Sequence, residues 1–533
     1  MKFNNIKIKT VQLFLLGAIT VATTSSCEQD FGDMNKAWEN KVYAPTIPAL
    51  FNSISASMTD ISGNGRMKGS FIYQATQLAA PYASSGYRMD DLAIGHWTNY
   101  YTALANARKL ESVIDADPNA AKMVNLKAML KTMLAYKTIH ATLMFGDMPY
   151  KNAGKAYDGA DYYRPSYDSQ SEIMTSALND LKWAVDNLAS NAGQNPVGAS
   201  DVIFGGDIAK WQKLANSLRL RYALVIRGKN QTVADAIIAD ALTKPLLGTG
   251  DNYGLYPGTI ASFTNKRITD FTGNSYIRMG STMFNAMASN TNDDGSGIYD
   301  LRCKILFEPN RAGKWVAYPQ VPTSSTPNEV DGNYCYQESR LTAWATPLPA
   351  QNYNYSPVNF YYADDETMPV LFITSAEVNF LKAEIYARGI GGVAVNPVAA
   401  KQFYEAGITE SVNFWYKRAN SAAIWVVNKP AAAPTPLEMT TMLSNPAIAY
   451  NASPAIALDQ IYKQSWIALF HQPYEAWTLK RRTADGTPHV TILNVPVLNK
   501  FTYPNTEKAT NFENWNAASN GNDNISNKPW FMM

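Results

Sequence analysis

The residues of this 533-residue chain that could do chemistry sort by what each type needs beside it. Four histidines, His96, His140, His471 and His489, are scattered without metal-ligand spacing, so each reads as a hydrogen-bonded structural residue. H-E-x-x-H, G-x-S-x-G and Walker-type loops are missing. Carboxylates come in runs, Asp293-Asp294 and Asp364-Asp365-Glu366. Two carboxyls across a cleft would make a glycosidase, but that pairing is spatial and linear spacing does not show it. The run at 364–366 also has the clustered oxygens a hard cation such as Ca²⁺ takes, against the plainer reading of a solvated turn. Cys303 and Cys335 could pair in an oxidising compartment, and neither lies in a C-x-x-C spacing. No catalytic residue, metal or cofactor is assigned, and the expectation is a protein that is not an enzyme.

Binding without catalysis asks for something else. A pyranose has an apolar face that stacks on an aromatic ring and a rim of hydroxyls that wants polar groups, on loops held by a rigid scaffold. The chain carries 31 Tyr against 20 Phe, with 12 Trp, and rings with a polar tip suit wet, adhesive surfaces. Two stretches supply the mixture. PYASSGYRMDD with the following HW gives Tyr82, Tyr87, Arg88 and Trp97; the middle of the chain gives Trp315, Tyr334, Tyr336, Trp344, Tyr353 and Tyr355. The candidate ligand contacts are Tyr82, Tyr87, Arg88, Trp97, Trp315, Trp344, Tyr353 and Tyr355. For Trp97 a place in the first turn of an inward-packing helix competes with exposure. Trp211, Trp466 and Trp477 fall on helical patterns and are assigned to the core.

The elements that must position these loops are helices. In GGDIAKWQKLANSLRLRYALVIRG (205–228), Ile208, Trp211, Ala215, Leu218, Tyr222 and Val225 recur three and four apart, one stripe of an α-helix. Asp207 is its expected N-cap, Gly228 its expected left-handed C′ residue, and Arg227 suits the negative end of the dipole. Further helices are expected near 47–60, 96–116, 120–145, 169–190, 231–242, 280–289, 374–389, 396–416 and 457–482, the last interrupted at Pro473. Ser169 with Glu172, and Thr374 with Glu377, have capping-box spacing; Glu384 and Arg388 form an i, i+4 pair, closed by Gly389. Residues 61–95 are loop-rich, punctuated by Gly63, Gly65, Gly69, Pro81 and Gly86; residues 243–370 are rich in Gly, Pro, Asn and Thr, and loops this long in a compact protein are usually functional or disordered, with the Tyr and Trp content there arguing against disorder. KPAAAPTP (429–436) reads as a proline-rich insertion, and the Asn-rich tail from 499 as irregular. No clean 34-residue repeat is present, although paired amphipathic helices resemble tetratricopeptide arrays.

With 46 basic and 44 acidic residues, and no basic block interleaved with aromatics, nothing points to nucleic acid. At the start, Lys2, Lys7 and Lys9 precede an apolar run from Val11 to Ala22, too short to span a bilayer, then small residues Thr23 to Ser26 before Cys27. That order reads as a signal peptide over 1–26. Cys27 resembles the acylated cysteine of a bacterial lipobox, although Thr24-Ser25-Ser26 departs from the usual Leu three residues back and Gly or Ala before the Cys. Glu28 and Asp30 follow at once, similar to the acidic export signal of Bacteroidetes surface lipoproteins.

Taken with Cys27, FGDMPY (145–150), GGDIAKWQKLANSLRLR (205–221), FITSAEVNFLKAEIYARG (372–389), QSWIALFHQPYEAWTLKRR (464–482) and YPNTEKATN (503–511) resemble, in order, the SusD-like branch of the SusD/RagB family of outer-membrane nutrient-binding lipoproteins. Two departures are present: Gln464-Ser465-Trp466, on a scaffold helix, where Gln-Lys-Trp is usual, and Trp530-Phe531 in place of a Trp pair. The resemblance implies an all-α fold, a tetratricopeptide-like scaffold with an irregular, loop-rich, ligand-facing half. It implies one domain over 27–533, with scaffold at about 47–242 and 374–482 and a loop-rich insertion at about 243–370. It also implies a lipid-anchored protein on the cell surface, partnered with a SusC-like TonB-dependent transporter, that takes up oligosaccharides or, in some members, peptides. A surface glycoside hydrolase and a purely structural partner of the barrel are the competing classes.

Overall fold

The stretch from 205 to 228 folds as the helix around which the others pack. In the computed structural model, which describes residues 46–58, 71–81, 90–189, 193–195, 198–256, 277–289, 292–310, 312–327, 355–359, 368–421, 430, 432–492 and 497–532, sixteen α-helices are joined by irregular segments. In chain order they are α1 (Ile47–Ser57), α2 (Tyr73–Thr76), α3 (Asp90–Ala116), α4 (Val124–Phe145), α5 (Gln170–Asn187), α6 (Ile208–Ile226), α7 (Gln231–Leu242) and α8 (Ser281–Asn285). They continue with α9 (Cys303–Leu306), α10 (Ser375–Arg388), α11 (Pro397–Ser421), α12 (Pro436–Ser444), α13 (Pro454–Ala468), α14 (Pro473–Arg482), α15 (Asn505–Thr510) and α16 (Phe512–Ser519). Strands are short: β1 (Ala80–Pro81), β2 (Met148–Pro149), β3 (Tyr167–Asp168), β4 (Asn252–Leu255), β5 (Ile277–Arg278) and β6 (Val370–Thr374), paired antiparallel as β1–β5, β2–β3 and β4–β6. By internal contacts the chain divides into Met1–Ala49, of which only residues 46–49 are described, and one compact unit, Leu50–Met533. No described helix is long and apolar enough to cross a membrane.

Helix α6 touches α4, α5, α7, α10 and α14, so its polar side chains are buried along with its apolar ones and each needs a partner. Asn216 donates to the carbonyls of Ala241 (2.9 Å) and Pro245 (3.0 Å), Ser217 accepts from the Leu247 amide (3.0 Å), and Arg219 pairs with Asp240 (2.7 Å). A stripe of apolar residues says which face is inward; these polar residues say which neighbour it faces. Trp211 donates its indole N–H to Asp201 (2.7 Å), whose carboxylate also accepts from the amides of Ile203, Phe204 and Gly206 and so shapes the loop before the helix.

The helix ends follow the sequence in part. Asp207 caps α6 by accepting from the Lys210 amide, and Ser169 with Glu172 closes a complete capping box on α5. Gly389 ends α10 at φ +63°, where an added Cβ would meet Val395, and Arg388 pairs with Glu384 at 2.7 Å. Gly228 is not left-handed: the chain turns through Lys229 and Asn230, whose amides both return to the Ile226 carbonyl (2.9 Å each), and Asn230 caps α7 at once. Arg227 faces Asp235 (2.7 Å) and not the free carbonyls. At α10 only half of the box forms: Thr374 accepts from the Glu377 amide, but the Glu377 carboxylate is drawn away to Arg221. The tail from 499 is no loose end, since it carries α15 and α16 and buries Phe501 and Tyr503. Helix α12, opened by a Thr435–Glu438 capping box, begins where only a proline-rich insertion was expected.

Two motif helices hold the irregular half in place. Trp466 of α13 donates to the Thr76 carbonyl (2.8 Å), and Tyr73 donates to the Phe470 carbonyl (2.8 Å), which seats residues 71–81 on the helix array. Arg302, fully buried, pairs with Asp300 (2.6 Å) and reaches Ser411 on α11 and Gln464 on α13. Strand β4 lies so close to β6 at Gly254 that a side chain there would run into the Val370 carbonyl; the register shifts at this point.

Candidate functional site

The two aromatic stretches, more than 200 residues apart in sequence, are anchored at one place. Ala80 and Pro81, which lead directly into Tyr82, pair with Arg278 and Ile277. Arg278 in turn bridges to Pro357, Gly280 to Tyr318, and Phe307 to Val358. The Met279 amide donates to the Ser356 carbonyl (2.9 Å), the Tyr318 amide to Met279 (2.8 Å), and the Ser356 amide to Val316 (2.8 Å). Between these backbones Ala80, Tyr318 and Tyr355 form a small apolar cluster, the two rings meeting edge to face at 4.8 Å. The Tyr355 hydroxyl donates to the Pro327 carbonyl (2.8 Å). Segments that begin and end the candidate loops are thus tied to one another by backbone hydrogen bonds, which makes a rigid base of the kind a binding loop needs.

Of the eight candidate contacts, Trp97, Trp315 and Tyr355 lie within the described residues, and all three are covered. Trp97 is 7% exposed in α3, packed against Tyr101, Phe145 and Tyr503; the inward reading of its helix turn is what is observed, and it serves as core. Trp315 is 8% exposed, joined to the main core, with its ring over Gly295, where any side chain would collide with the indole. Tyr355 is 5% exposed in the cluster just described. Tyr82, Tyr87, Arg88, Trp344 and Tyr353 lie outside the described residues, as do Tyr334, Tyr336, Asp364, Asp365, Glu366 and Cys335, the partner considered for Cys303. Cys303 itself is buried in α9, and burial pushes its thiol well above the ordinary value.

Tyr318 and Gln77 belong to this region and were not singled out from sequence. Tyr318 sat in the right stretch, three residues from Trp315. Gln77 gave no signal: it adopts φ +54° and turns its amide to the backbone of Val490, accepting from the N–H (2.8 Å) and donating to the C=O (2.6 Å), with Thr282 on the same oxygen (2.8 Å).

The residues that carry the family words are structural. Arg221 of α6 is held by Glu377 (2.6 Å) and lies 3.3 Å from Glu475 of α14. Burial pushes the Glu475 carboxyl up to about 7, because Glu377 already occupies the guanidinium. Glu384 takes Arg388 and Arg482 (2.7 Å each) and Tyr462 (3.1 Å); burial would raise its carboxyl, and the two guanidinium groups hold it below the ordinary range instead. His96 meets the Tyr474 hydroxyl (2.9 Å) and His140 stacks on Tyr136, so both are packing residues. Among the described residues no three of His, Cys, Asp and Glu come together as a metal site.

A family model described as starch-binding, associating with the outer membrane, matches residues 39–504. No curated protein matches the chain. Among solved structures, a SusD-like protein of the Bacteroidetes is 19% identical, covering 92% of this chain and 100% of its own, with a TM-score of 0.69. A chitin-binding SusD homolog from Flavobacterium johnsoniae is 20% identical, covering 91% and 97%, with a TM-score of 0.65. A SusD homolog from Bacteroides fragilis is 20% identical, covering 91% and 99%, with a TM-score of 0.65. At these identities the structures establish the shared fold.

Proposed function

The chain belongs to the SusD-like family of starch-binding proteins that associate with the outer membrane, and from that membership we propose that it is a surface lipoprotein that captures oligosaccharides and delivers them to a SusC-like TonB-dependent transporter. The observation that carries the reading is the match over 39–504, joined to the shared anchoring of the two aromatic stretches. Starch for the family and chitin for one relative are both pyranose polymers, and a site of aromatic rings and one guanidinium on a rigid base suits that chemistry. In this reading Tyr82, Tyr87, Arg88, Trp344 and Tyr353 contact the sugar. Trp315 and Tyr355 hold the base they stand on, and Trp97 fixes the helix behind. Cys27 carries the lipid, and the chain does not cleave what it holds.

Calorimetry or affinity-gel retardation of the mature chain against a glycan panel tests the capture. Tyr353→Ala and Trp344→Ala are expected to weaken binding by about tenfold each, with the melting temperature unchanged. Equal losses of stability would make those rings core. Binding of peptides and of no glycan would replace the substrate class, and hydrolysis of labelled oligosaccharides would replace the binding reading with an enzyme. For the anchor, labelled palmitate is expected to enter the wild-type chain and not Cys27→Ser; for the partner, the protein is expected to co-purify with a TonB-dependent barrel.

A further inference from the structure

A hollow of about 500 Å³ opens beside the loop that follows α14, with Gln77, which accepts from Thr282 and from the Val490 amide, in its wall. Its wall carries Lys480, Arg481, Lys528 and His489, with Asp485 as the acid among them. Arg481 is buried, yet no carboxylate lies within ion-pair distance of it among the described residues. Its guanidinium lies over the Trp477 ring at 3.4 Å and donates to the carbonyls of Leu143 (2.7 Å) and Asn499 (2.8 Å). Lys480 donates to the Ala75 carbonyl (3.3 Å) and stands 3.7 Å from Asp485, whose side chain is open to solvent. On this wall positive charge exceeds negative, Glu475 being the carboxylate that acts on Arg481 from behind it, and burial pulls both Lys480 and Arg481 below their ordinary values. A cation in that position is under-compensated, and an incoming anion would restore what burial removes.

The loop is also built, not merely left over. Ala484 and Asp485 are both left-handed, at φ +49° and +65°, in succession and without glycine. Such backbone persists only where the surroundings determine it, and it gathers at ligand clamps. Gln77 grips Val490 by both backbone groups and holds the far end of the loop. A second hollow, about 560 Å³, shares Asp485 and His489 with the first and is lined by Thr487, whose buried hydroxyl has no partner among the described residues.

We propose that the hollow lined by Lys480, Arg481 and Lys528 is a binding site for an anionic saccharide unit, so that the glycans this protein captures include acidic ones. The inference rests on the saccharide-binding reading and names its substrate class. Carboxylate and sulfate groups share the required charge, and the experiment separates them.

The mature chain is titrated with oligogalacturonate and alginate fragments, with a methyl-esterified oligogalacturonate, and with sulfated and desulfated forms of one galactan oligosaccharide. At least one anionic member is expected to bind at least about tenfold more tightly than its neutralised counterpart, the size of a charge-assisted contact. Lys528→Gln, at an exposed position, and Lys480→Gln are each expected to weaken the anionic ligand about threefold to tenfold while leaving neutral glycans alone. Neutral glycans bound as well as their anionic forms, or anion binding that survives both substitutions, overturns the site and leaves the saccharide reading intact. Binding of no saccharide of any kind overturns that reading, and the site with it.

Discussion

Glu475 is buried beside a guanidinium that Glu377 already holds, with the His140 ring at 3.8 Å and Arg481 as a second cation acting on it. Loss of water therefore outweighs the attraction of Arg221, and the carboxyl titrates near 7 against an ordinary 4.5. Between those values the folded chain keeps a proton that the unfolded chain has released. Stability is then lost as pH rises through that window and recovered below it, with a slope of at most ~1.4 kcal/mol per pH unit. Glu475→Gln removes the titration while keeping the shape. The melting temperature of the variant relative to wild type is expected to be higher at pH 8 than at pH 5; a difference that does not change with pH would show that Glu475 does not titrate there. Removing the cation is the opposite case. Arg221→Met leaves two carboxylates facing each other in the core and is expected to cost at least about 3 kcal/mol, read by chemical denaturation.

The two capping boxes show how far local sequence determines an element. Ser169-x-x-Glu172 and Thr374-x-x-Glu377 are the same word, and both helices begin where it says. On α5 the box is complete because Glu172 is at the surface, where the exposed Lys151 does not draw it off the cap. On α10 the acid faces Arg221, and a charge-assisted pair in the core wins over one backbone amide. Glu172→Gln is expected to cost less than about 0.5 kcal/mol, since Gln still caps, while Glu377→Gln costs about 3 kcal/mol or more. Similar values at the two sites would mean that the buried pair contributes no more than a cap. The presence of α4 to α7, α10 and α11 was legible because each is long enough to repeat its pattern, and N-caps were legible for α5, α6 and α10. Gly228 misled because a glycine after a helix permits a left-handed turn without requiring one, and here Asn230 starts the next helix two residues on. The site was legible only as composition. Which rings share a base depends on the pairing of 80–81 with 277–278 and of 279 with 356, and strands of two residues leave no alternation to read. Trp97 and Trp315 have the residue type of a sugar platform, but burial is decided by partners such as Phe145 and Tyr503 that lie far off in sequence.

At the scale of the whole molecule, the last 35 residues close the array that the first helices open. The Phe501 amide donates to the Met144 carbonyl (2.7 Å), the Tyr503 hydroxyl to Asp147 (2.6 Å), Tyr167 to Glu507 (3.0 Å) and the Phe531 amide to Gln170 (3.2 Å). Phe501 stacks on Trp477 at 5.2 Å, and Tyr503 meets Trp97 edge to face. These contacts join FGDMPY (145–150), the stretch 464–482 and YPNTEKATN (503–511), three of the motifs that resemble the family, into one structure. A chain cut after Leu498 would uncover Trp477, Phe145 and Trp97 together, each worth roughly 1.5–3 kcal/mol of burial, against a total stability of about 5–15 kcal/mol. It is expected to lose its cooperative thermal transition by circular dichroism. Phe501→Ala in the full chain, with about 3–5 kcal/mol lost, tests the same contact without truncation. A truncated chain that melts as sharply and as high as the full one would make the tail an accessory. The fold would then have to be closed by α14 alone, and the binding base between 80 and 358 would stand independently of the chain's end.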